Sequence, residues 1–575
     1  MPSPELTHTP RRIVVVGGVA AGMSFAARAR RLDEHAHILV LERGDHVSFA
    51  NCGLPYFVGG EIDEQSQLLV QTPESLRAAL DLDVRVRHDV TSIDPVRKVV
   101  VAATAGGETE FAYDELMLAP GAFALRPPIP GLDDSRVRTL RTVGDAAWMK
   151  DAAGSARRAV VLGAGFIGVE AAEALRQRGL EVDIVEFAPH VLPPLETEMA
   201  SLVTAELERH GLRVHAGIAA SAVEDAGDHA IVRLSDGRGL PADLVVLSVG
   251  VRPDTAFAGD AGIAIERGAI IVDAHGRTSI PHVWAAGDAV AKTDPVTGAV
   301  RPVALAGPAN REGRLIADAM LGERSARVMP PPLGTAIVRV FGLTAALTGA
   351  NRRTLEEAGV AHETMHLHPG SHAGYFPGAE AIHLVVHFAP ASSDEPGRIY
   401  GAQAVGADGV DKRIDVIATA MRAGLGVDDL IDLDLAYAPP YGSAKDPVNM
   451  AGLLGQNVLE GITRLWQPQD LDDVLSNALV LDVRRADEWR TGFLPGALRI
   501  PHTELRERLD EVRRAAAGRP VRIHCASGVR SYLAHRQLAA AGIDSATLSG
   551  GMQTLLAYHG KDILTHEVDH RTAAA

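Results

Sequence analysis

Two cysteines, Cys52 and Cys525, are the residues of this chain best suited to redox or sulfur chemistry. Cys52 lies in Val47–Tyr56, VSFANCGLPY, with polar Ser48 and Asn51 beside it and Gly53 and Pro55 shaping a turn. Free cysteines are commonly buried and inert. These neighbours instead predict an exposed thiolate at a helix start, the form that attacks sulfur and is readily oxidised. Cys525 lies in Val521–Arg530, VRIHCASGVR, where a strand-like run enters a short loop. Two thiols cannot build a disulfide framework for so long a chain, so thiol chemistry in a reducing compartment is their expected use.

The first thiol is positioned by a strand, a turn and a helix. Arg11–Gly22, RRIVVVGGVAAG, reads as a β-branched strand entering a glycine turn, followed by an alanine-rich helix from about Ala20 to Leu32. Gly17 and Gly22 let backbone approach a pyrophosphate, and the helix start directs free N–H groups at that charge. Val19 occupies the second glycine position of G-x-G-x-x-G. The next strand, Ala36–Leu41, ends in Glu42, where a carboxylate can accept hydrogen bonds from ribose hydroxyls; the adjoining Arg43 is grouped with it as a cofactor contact. The same order returns intact in Ala159–Glu170, AVVLGAGFIGVE, with Gly163, Gly165 and Gly168 correctly spaced and Glu186 closing the following strand. Two copies imply two dinucleotides, and a flavin with a nicotinamide is the obvious pair. Glu186 repels a 2′-phosphate and so favours NADH, although nearby loop residues can override this and NADPH stays open. Val283–Val290, VWAAGDAV, ends an apolar strand at Asp288, a carboxylate suited to the flavin's ribityl and phosphate region or to capping the next helix. Cys52 follows Glu42 closely, which places it past the carboxyl end of the second strand, near the flavin ring.

Composition narrows the classes. A chain of 575 residues is too long for one core and suggests roughly three to five packed units. Hydrophobic content of 46% and mean hydropathy of +0.06 argue against disorder. No apolar stretch reaches the roughly 18 to 20 residues that cross a bilayer. The polar start, Met1–Arg12, has no signal-peptide core, so a soluble cytoplasmic protein without a membrane partner is expected. A formal charge of −17 argues against nucleic acid as partner and means that an anionic substrate must meet local Arg or Lys. None of the 23 histidines has a metal spacing, and His366 and His368 alternate as on a strand, so no metal is expected.

With these motifs in order, the chain over roughly Arg12–Ile462 resembles the pyridine nucleotide-disulfide oxidoreductases. Within them, SFANCGLPY is most similar to the coenzyme A disulfide reductases of the single-cysteine branch. A glutathione-reductase pattern needs a second cysteine a few residues on, and positions 53–57 contain none. Cys52 therefore has to form its disulfide, persulfide or sulfenic acid with something outside the chain. The resemblance implies FAD and NADH or NADPH as cofactors and coenzyme A as substrate or mixed-disulfide partner of Cys52. It implies substrate contacts at Ser24, Arg28, Arg31, Ser48, Asn51 and Asn310, with Arg314 a further contact. It also implies a homodimer in which Leu433–Asn449, LDLAYAPPYGSAKDPVN, completes the partner's site, Tyr437 nearing the sulfur chemistry and Lys445 the coenzyme A phosphates. A second family tyrosine falls on Tyr375, here followed by Phe376 where a pair of tyrosines is usual, with a packing role as the alternative. A lysine that some relatives place on the substrate is Leu80 here.

Beyond about Leu471 the chain resembles a rhodanese domain, with Asp482 and Arg484 after a strand and then DEWRTGFLPGALRIP. The loop from Cys525 to Arg530 turns its N–H groups inward, a cradle for a thiolate and its persulfide, and Arg530 completes the positive field. Related phosphatase loops are one residue longer, so this size favours sulfur transfer over phosphate hydrolysis. His524 reads as a buried, satisfied histidine and Asp482 as a loop-orienting residue.

The expected fold is α/β. It comprises two Rossmann-like domains binding FAD (1–120 and 251–330) and NAD(P)H (121–250), and an α+β dimerisation domain (331–462). A linker (463–470), a rhodanese domain (471–565) and a tail (566–575) complete the chain. The expected activity is NAD(P)H-dependent reduction of coenzyme A persulfide or disulfide, with Cys525 supplying sulfane sulfur. Two rivals are an NADH oxidase or peroxidase cycling Cys52 through sulfenic acid, and a redox-sensing sulfur carrier with a protein partner.

Overall fold

The structure, a computed structural model, describes residues 10–322 and 327–566. The polar start as far as residue 9 and the expected tail beyond His566 lie outside the described residues. The chain divides into two compact units, one of the chain up to Pro189 with Gly211–Gly334, the other of His190–His210 with the chain from Thr335 on.

In the first unit, β1 (Arg12–Val16) runs through the glycine turn into α1 (Ala20–Leu32). It lies at the centre of a five-stranded parallel sheet, between β2 (His37–Leu41) and Glu115–Leu118, with Asp83–Arg85 and Val283–Ala285 at the edges. Such strands are covered on both faces, which is why RIVVV and HILVL are nearly continuous apolar runs. The second copy repeats the plan with β3 (Arg158–Leu162), α2 (Phe166–Gln177) and β4 (Glu181–Glu186). Its parallel sheet has the order Arg213–Ala216, β4, β3, Leu244–Leu247, Val137–Arg138. After β4 the chain forms α3 (Thr197–Arg209), which belongs to the second unit, so the expected domain 121–250 is not one continuous packed piece. α4 (Ala306–Leu321) lies against α1 with Gly313 at the crossing, where a Cβ would stand 2.2 Å from the Ala21 carbonyl oxygen.

The second unit opens with a five-stranded antiparallel sheet ordered Ala336–Val340, Leu343–Gly349, Ile399–Gly406, β6, β5, where β5 is Glu363–Leu367 and β6 is Ile382–Phe388. Helices Val410–Ala423 and Pro447–Leu459 cover it, burying Ile414, Ile417, Val448 and Ala451 against Leu384 and Val386. A further α/β layer comes next with β7 (Leu479–Asp482), β8 (Val521–His524), α5 (Val529–Ala540) and α6 (Gly551–His559). Its five strands, all parallel, have the order Leu465–Trp466, Ser545–Leu548, β8, β7, Leu498–Arg499. The stretch 463–470, expected as a linker, thus carries the edge strand of this sheet. Trp466 is buried and donates its indole N–H to the Ile523 carbonyl at 3.1 Å. Among the described residues no helix is long and apolar enough to cross a membrane, and no cluster of side chains could hold a metal ion.

Candidate active site

Both glycine turns are held by the acid that ends the following strand. Glu42 accepts the Gly18 and Gly44 N–H groups at 2.7 and 2.8 Å, and Glu186 accepts those of Ala164 and Ala188 at 2.6 and 2.7 Å. The acids were expected to meet ribose hydroxyls; they also fix the turns, and each carboxylate keeps lone pairs for a further donor. Gly17 and Gly163 have φ of +99° and +96°, a conformation in which a side chain is strained. A Cβ at Gly22 or Gly168 would stand 1.9 Å from the carbonyl oxygen of the turn's first glycine, whereas the space beside Gly165 is open. That opening is the room a pyrophosphate needs next to backbone.

Cys52 is exposed, on a single turn of 3-10 helix (Asn51–Gly53) that leads into the short helix Leu54–Gly59 with Pro55 in its first turn. The segment hangs from the first glycine turn through the Ser48 N–H, which donates to the Gly18 carbonyl at 2.8 Å, with Ser48 in the left-handed region at φ +46°. The thiolate expected from sequence is not favoured by the protein's own groups. Partial burial, and then the charge of Glu170 on α2, push the Cys52 thiol up. Glu170, which sequence reasoning passed over, also accepts the Tyr56 hydroxyl at 3.3 Å.

Two polar groups near the turn have acceptor capacity left over. The Asn51 Oδ1 atom is buried without a hydrogen-bond partner among the described residues. Asp288, inside the turn Gly287–Ala289 rather than capping a helix, receives no hydrogen bond among the described residues, and its nearest cation is Arg141 at 4.0 Å. Burial pushes its carboxyl up. Beneath it, Lys292 bonds both oxygens of Glu312 at 2.6 Å, and Glu312 accepts the Gly287 N–H, a buried brace not seen in the sequence. Polar acceptors of this kind, next to a turn shaped for pyrophosphate, fit a flavin dinucleotide.

The expected substrate residues of this unit gather only in part. The Ser24 hydroxyl donates to Asn310 Oδ1 at 2.5 Å across the α1–α4 contact, and Arg28 pairs with Asp318 at 2.6 Å on the same two helices. Arg31 is exposed. Arg43 is engaged by Asp254 and by the Pro120 carbonyl, so its guanidinium braces the protein's own loops.

In the second unit the expected tyrosines meet: the Tyr375 and Tyr437 hydroxyls lie 2.9 Å apart on an exposed surface, and this bond pushes Tyr375 up. Their loops are tied by Arg413, fully buried, which donates to the Ser371 carbonyl and to Asp446, and by the Ala373 N–H donating to the Gly442 carbonyl. A recess of about 470 Å³ opens beside Tyr437, lined by Lys412, Arg413, Pro440 and Tyr441 among others. Lys445 is exposed and does not line it.

Cys525 is buried, 1% exposed, at the floor of its loop. The Gly528 N–H donates to Sγ at 3.2 Å and the thiol faces Ser531 Oγ at 3.4 Å. Arg530, expected to supply the positive field of this loop, interacts with Cys525 and is also paired with an acid. Glu488 takes both ends of Arg530 at 2.6 and 2.8 Å, and that pairing holds Glu488 down at about 2. His524 is corrected: it is wholly buried, yet neither ring nitrogen has a hydrogen-bond partner among the described residues, and Asp482 lies 3.8 Å away. Asp482 is spent on Arg484, which reaches on to the Gly492 carbonyl.

The profile of the pyridine nucleotide-disulphide oxidoreductase family matches residues 11–309, and that of the rhodanese-like domain matches 463–557. A coenzyme A disulfide reductase from Staphylococcus haemolyticus is 33% identical over 448 residues, 77% of this chain and 98% of that protein. The crystal structure of reduced Bacillus anthracis CoADR-RHD is similar with a TM-score of 0.93 and 41% identity, covering 97% of this chain and 100% of that one. An NAD-dependent persulfide reductase from A. fulgidus has a TM-score of 0.87 and 37% identity, covering 94% and 99%. The chain belongs to the pyridine nucleotide-disulphide oxidoreductase family, an α/β flavin- and pyridine nucleotide-dependent group of enzymes, and carries a rhodanese-like domain in its C-terminal part.

Proposed function

We propose that the protein is an FAD-dependent NAD(P)H reductase of coenzyme A persulfide and disulfide, with Cys525 as the sulfurtransferase thiol that supplies sulfane sulfur. The observation that carries this reading is an exposed thiol, Cys52, beside a dinucleotide turn, in a chain whose other cysteine sits in a rhodanese-type loop. Flavin, when bound, relays an electron pair from the nicotinamide to sulfur.

The chain's own residues do the rest. Cys525 takes a sulfur atom from a donor as a persulfide held by inward N–H groups, and a coenzyme A thiolate removes its outer sulfur. Cys52 then attacks the inner sulfur of coenzyme A persulfide, so that the S–S bond breaks, hydrosulfide leaves and Cys52 keeps coenzyme A as a mixed disulfide. Two electrons and a proton return this disulfide to the Cys52 thiolate and free coenzyme A. Coenzyme A disulfide enters by the same attack, with coenzyme A thiolate as the leaving group. Arg31 presents donors for an anionic nucleotide on the α1–α4 face, beside Arg28, Ser24 and Asn310, whose bonds within the protein the nucleotide exchanges for its own, and Asn51 orients the sulfur. We assign Gly163, Gly165, Gly168 and Glu186 to NAD(P)H, with NADH favoured by the acid. The working form is a homodimer in which the partner's Tyr437 and the partner's Tyr375 protonate the departing thiolate and the partner's Lys445 meets phosphate.

The test compares NADH oxidation and sulfide release with coenzyme A persulfide and with coenzyme A disulfide. Sulfide in step with NADH supports the persulfide reaction; turnover of the disulfide alone removes it, and faster turnover with peroxide than with either removes the sulfur reading.

A further inference from the structure

A buried chain of hydrogen bonds joins α3, β5 and Ser549, which stands between the strand Ser545–Leu548 and α6, all within the second unit. Glu198 Oε1 lies 2.7 Å from His366 Nε2, and His366 Nδ1 lies 2.7 Å from Ser549 Oγ, which also accepts the His366 backbone N–H at 3.0 Å. With Nε2–H donated to Glu198 Oε1, Nδ1 is left to accept the Ser549 hydroxyl proton, so both ring nitrogens of His366 are used. These are the side-chain types of a hydrolytic triad. Ser549 is 1% exposed and His366 3%, so the hydroxyl cannot meet a substrate and has another use.

The two glycines after Ser549 reveal that use. Gly550 and Gly551 both have positive φ, +69° and +65°, and the turn they form lies flat against the Cys525 loop. A Cβ on Gly551 would stand 2.8 Å from both the Cys525 carbonyl oxygen and the Ser527 nitrogen. The next two N–H groups, Met552 and Gln553 at the start of α6, donate to the Cys525 and Ala526 carbonyls at 2.8 and 3.0 Å. Those two carbonyls are thereby held by α6, while the Gly528 N–H faces the sulfur. On the far side of the turn, a Cβ on Gly550 would stand 2.7 Å from His366 Cβ and 2.9 Å from His368 Nε2, and His368 bonds the Thr554 hydroxyl at 2.8 Å.

We propose that Glu198, His366 and Ser549 are positioning residues for the sulfur-carrying thiol: they fix the Gly550–Gly551 turn, and through it keep the carbonyls of Cys525 and Ala526 turned from Sγ so that the thiolate meets N–H groups. The inference rests on the reading of Cys525 as the sulfurtransferase thiol. It adds to that reading a sheet and a helix outside the rhodanese-like fold that set the state of its loop.

The experiment uses full-length Cys52→Ser protein, in which Cys525 is the one remaining thiol, and follows its alkylation rate against pH together with sulfur transfer from thiosulfate to cyanide. Ser549→Ala and His366→Asn are expected to move the alkylation profile to higher pH and to lower kcat for transfer roughly tenfold or more, with KM changed less than about twofold. Glu198→Gln, which still accepts from Nε2–H, is expected to keep the parent profile, and Glu198→Ala to lose it. In the Cys52-containing protein, NADH-dependent reduction of coenzyme A disulfide by each variant should stay within about twofold of the parent, which shows that the variants fold. An unshifted profile in both Ser549→Ala and His366→Asn overturns the positioning role whatever Cys525 carries. A parent protein that gains no sulfur atom at Cys525 by mass overturns the sulfurtransferase reading instead.

Discussion

At the scale of single residues, the thiol at position 52 works against its surroundings. Glu170 and partial burial favour the protonated form, so a positive or polarising ligand has to supply what a thiolate needs. Replacing Glu170 by Gln should move the alkylation profile of Cys52 to lower pH, read in a Cys525→Ser protein; an unchanged profile would show that Glu170 does not reach the sulfur. Cys52→Ser should lower NADH-dependent coenzyme A disulfide reduction by about 10³-fold or more while flavin content stays at the parent level, measured by absorbance. Both cysteines, both tyrosines and the acids of the nucleotide turns were legible in the sequence because each sits in a local motif. Glu170 and Glu488 were not, because their meaning lies in what they face, Cys52 and Arg530, 118 and 42 positions away along the chain. Arg530 shows the cost of reading a charge without its partner: the cation foreseen for its loop is shared between Glu488 and the side of Cys525.

At the scale of elements, the two glycine turns make contrasting predictions from one residue type. Gly22→Ala drives a Cβ to 1.9 Å from a backbone oxygen, so the turn must open; this protein should lose flavin and melt at a clearly lower temperature. Gly165→Ala meets open space and an extended backbone any residue can adopt, so it should fold with full flavin content and show a raised KM for NAD(P)H. Equal flavin loss in both would refute the division. The strands, turns and helices of both nucleotide-binding copies were legible because pattern and turn chemistry agree along their length. Two elements were missed. Leu465–Trp466 is a short edge strand whose pairing with Ser545–Leu548 spans about eighty positions, and the polar residues around it read as a linker. α3 looks like any amphipathic helix of a nucleotide-binding fold, and only the three-dimensional partners of Glu198 and of the residue before the helix, Glu196, reveal that it packs in the second unit: Arg352 and His366 for the first, His387 for the second.

At the scale of the whole molecule, the histidines and acids buried in the second unit set its response to acid. Burial, and then the neighbouring His383, push His368 down to about 3 from an ordinary 6.5. Unfolded chains therefore take up a proton that the folded protein refuses between those values, and stability falls as pH drops from about 6.5 toward 3. Burial disfavours the Glu198 carboxylate, yet His366 and Arg352 hold it down at about 2 against an ordinary 4.5, which adds a second loss as pH falls from about 4.5 toward 2. The melting midpoint should be lower at about pH 5.5 than at about pH 7.5, and His368→Gln should narrow that gap; a gap of the same width would show that another group causes it. The division into nucleotide-binding, antiparallel and rhodanese-like parts could be read ahead of the structure, whereas the seating of the last on the sheet before it could not. That seating includes Gln467 Nε2 donating to the Thr364 carbonyl at 2.7 Å as well as the bonds of His366 and His368. A thiol fixed so firmly within its own unit cannot sweep through solvent as a tethered swinging domain does. The acceptor must therefore do the travelling: a long, slender pantetheine chain can thread down to a nearly covered sulfur, and stubby thiols of equal basicity should take sulfur from it far more slowly.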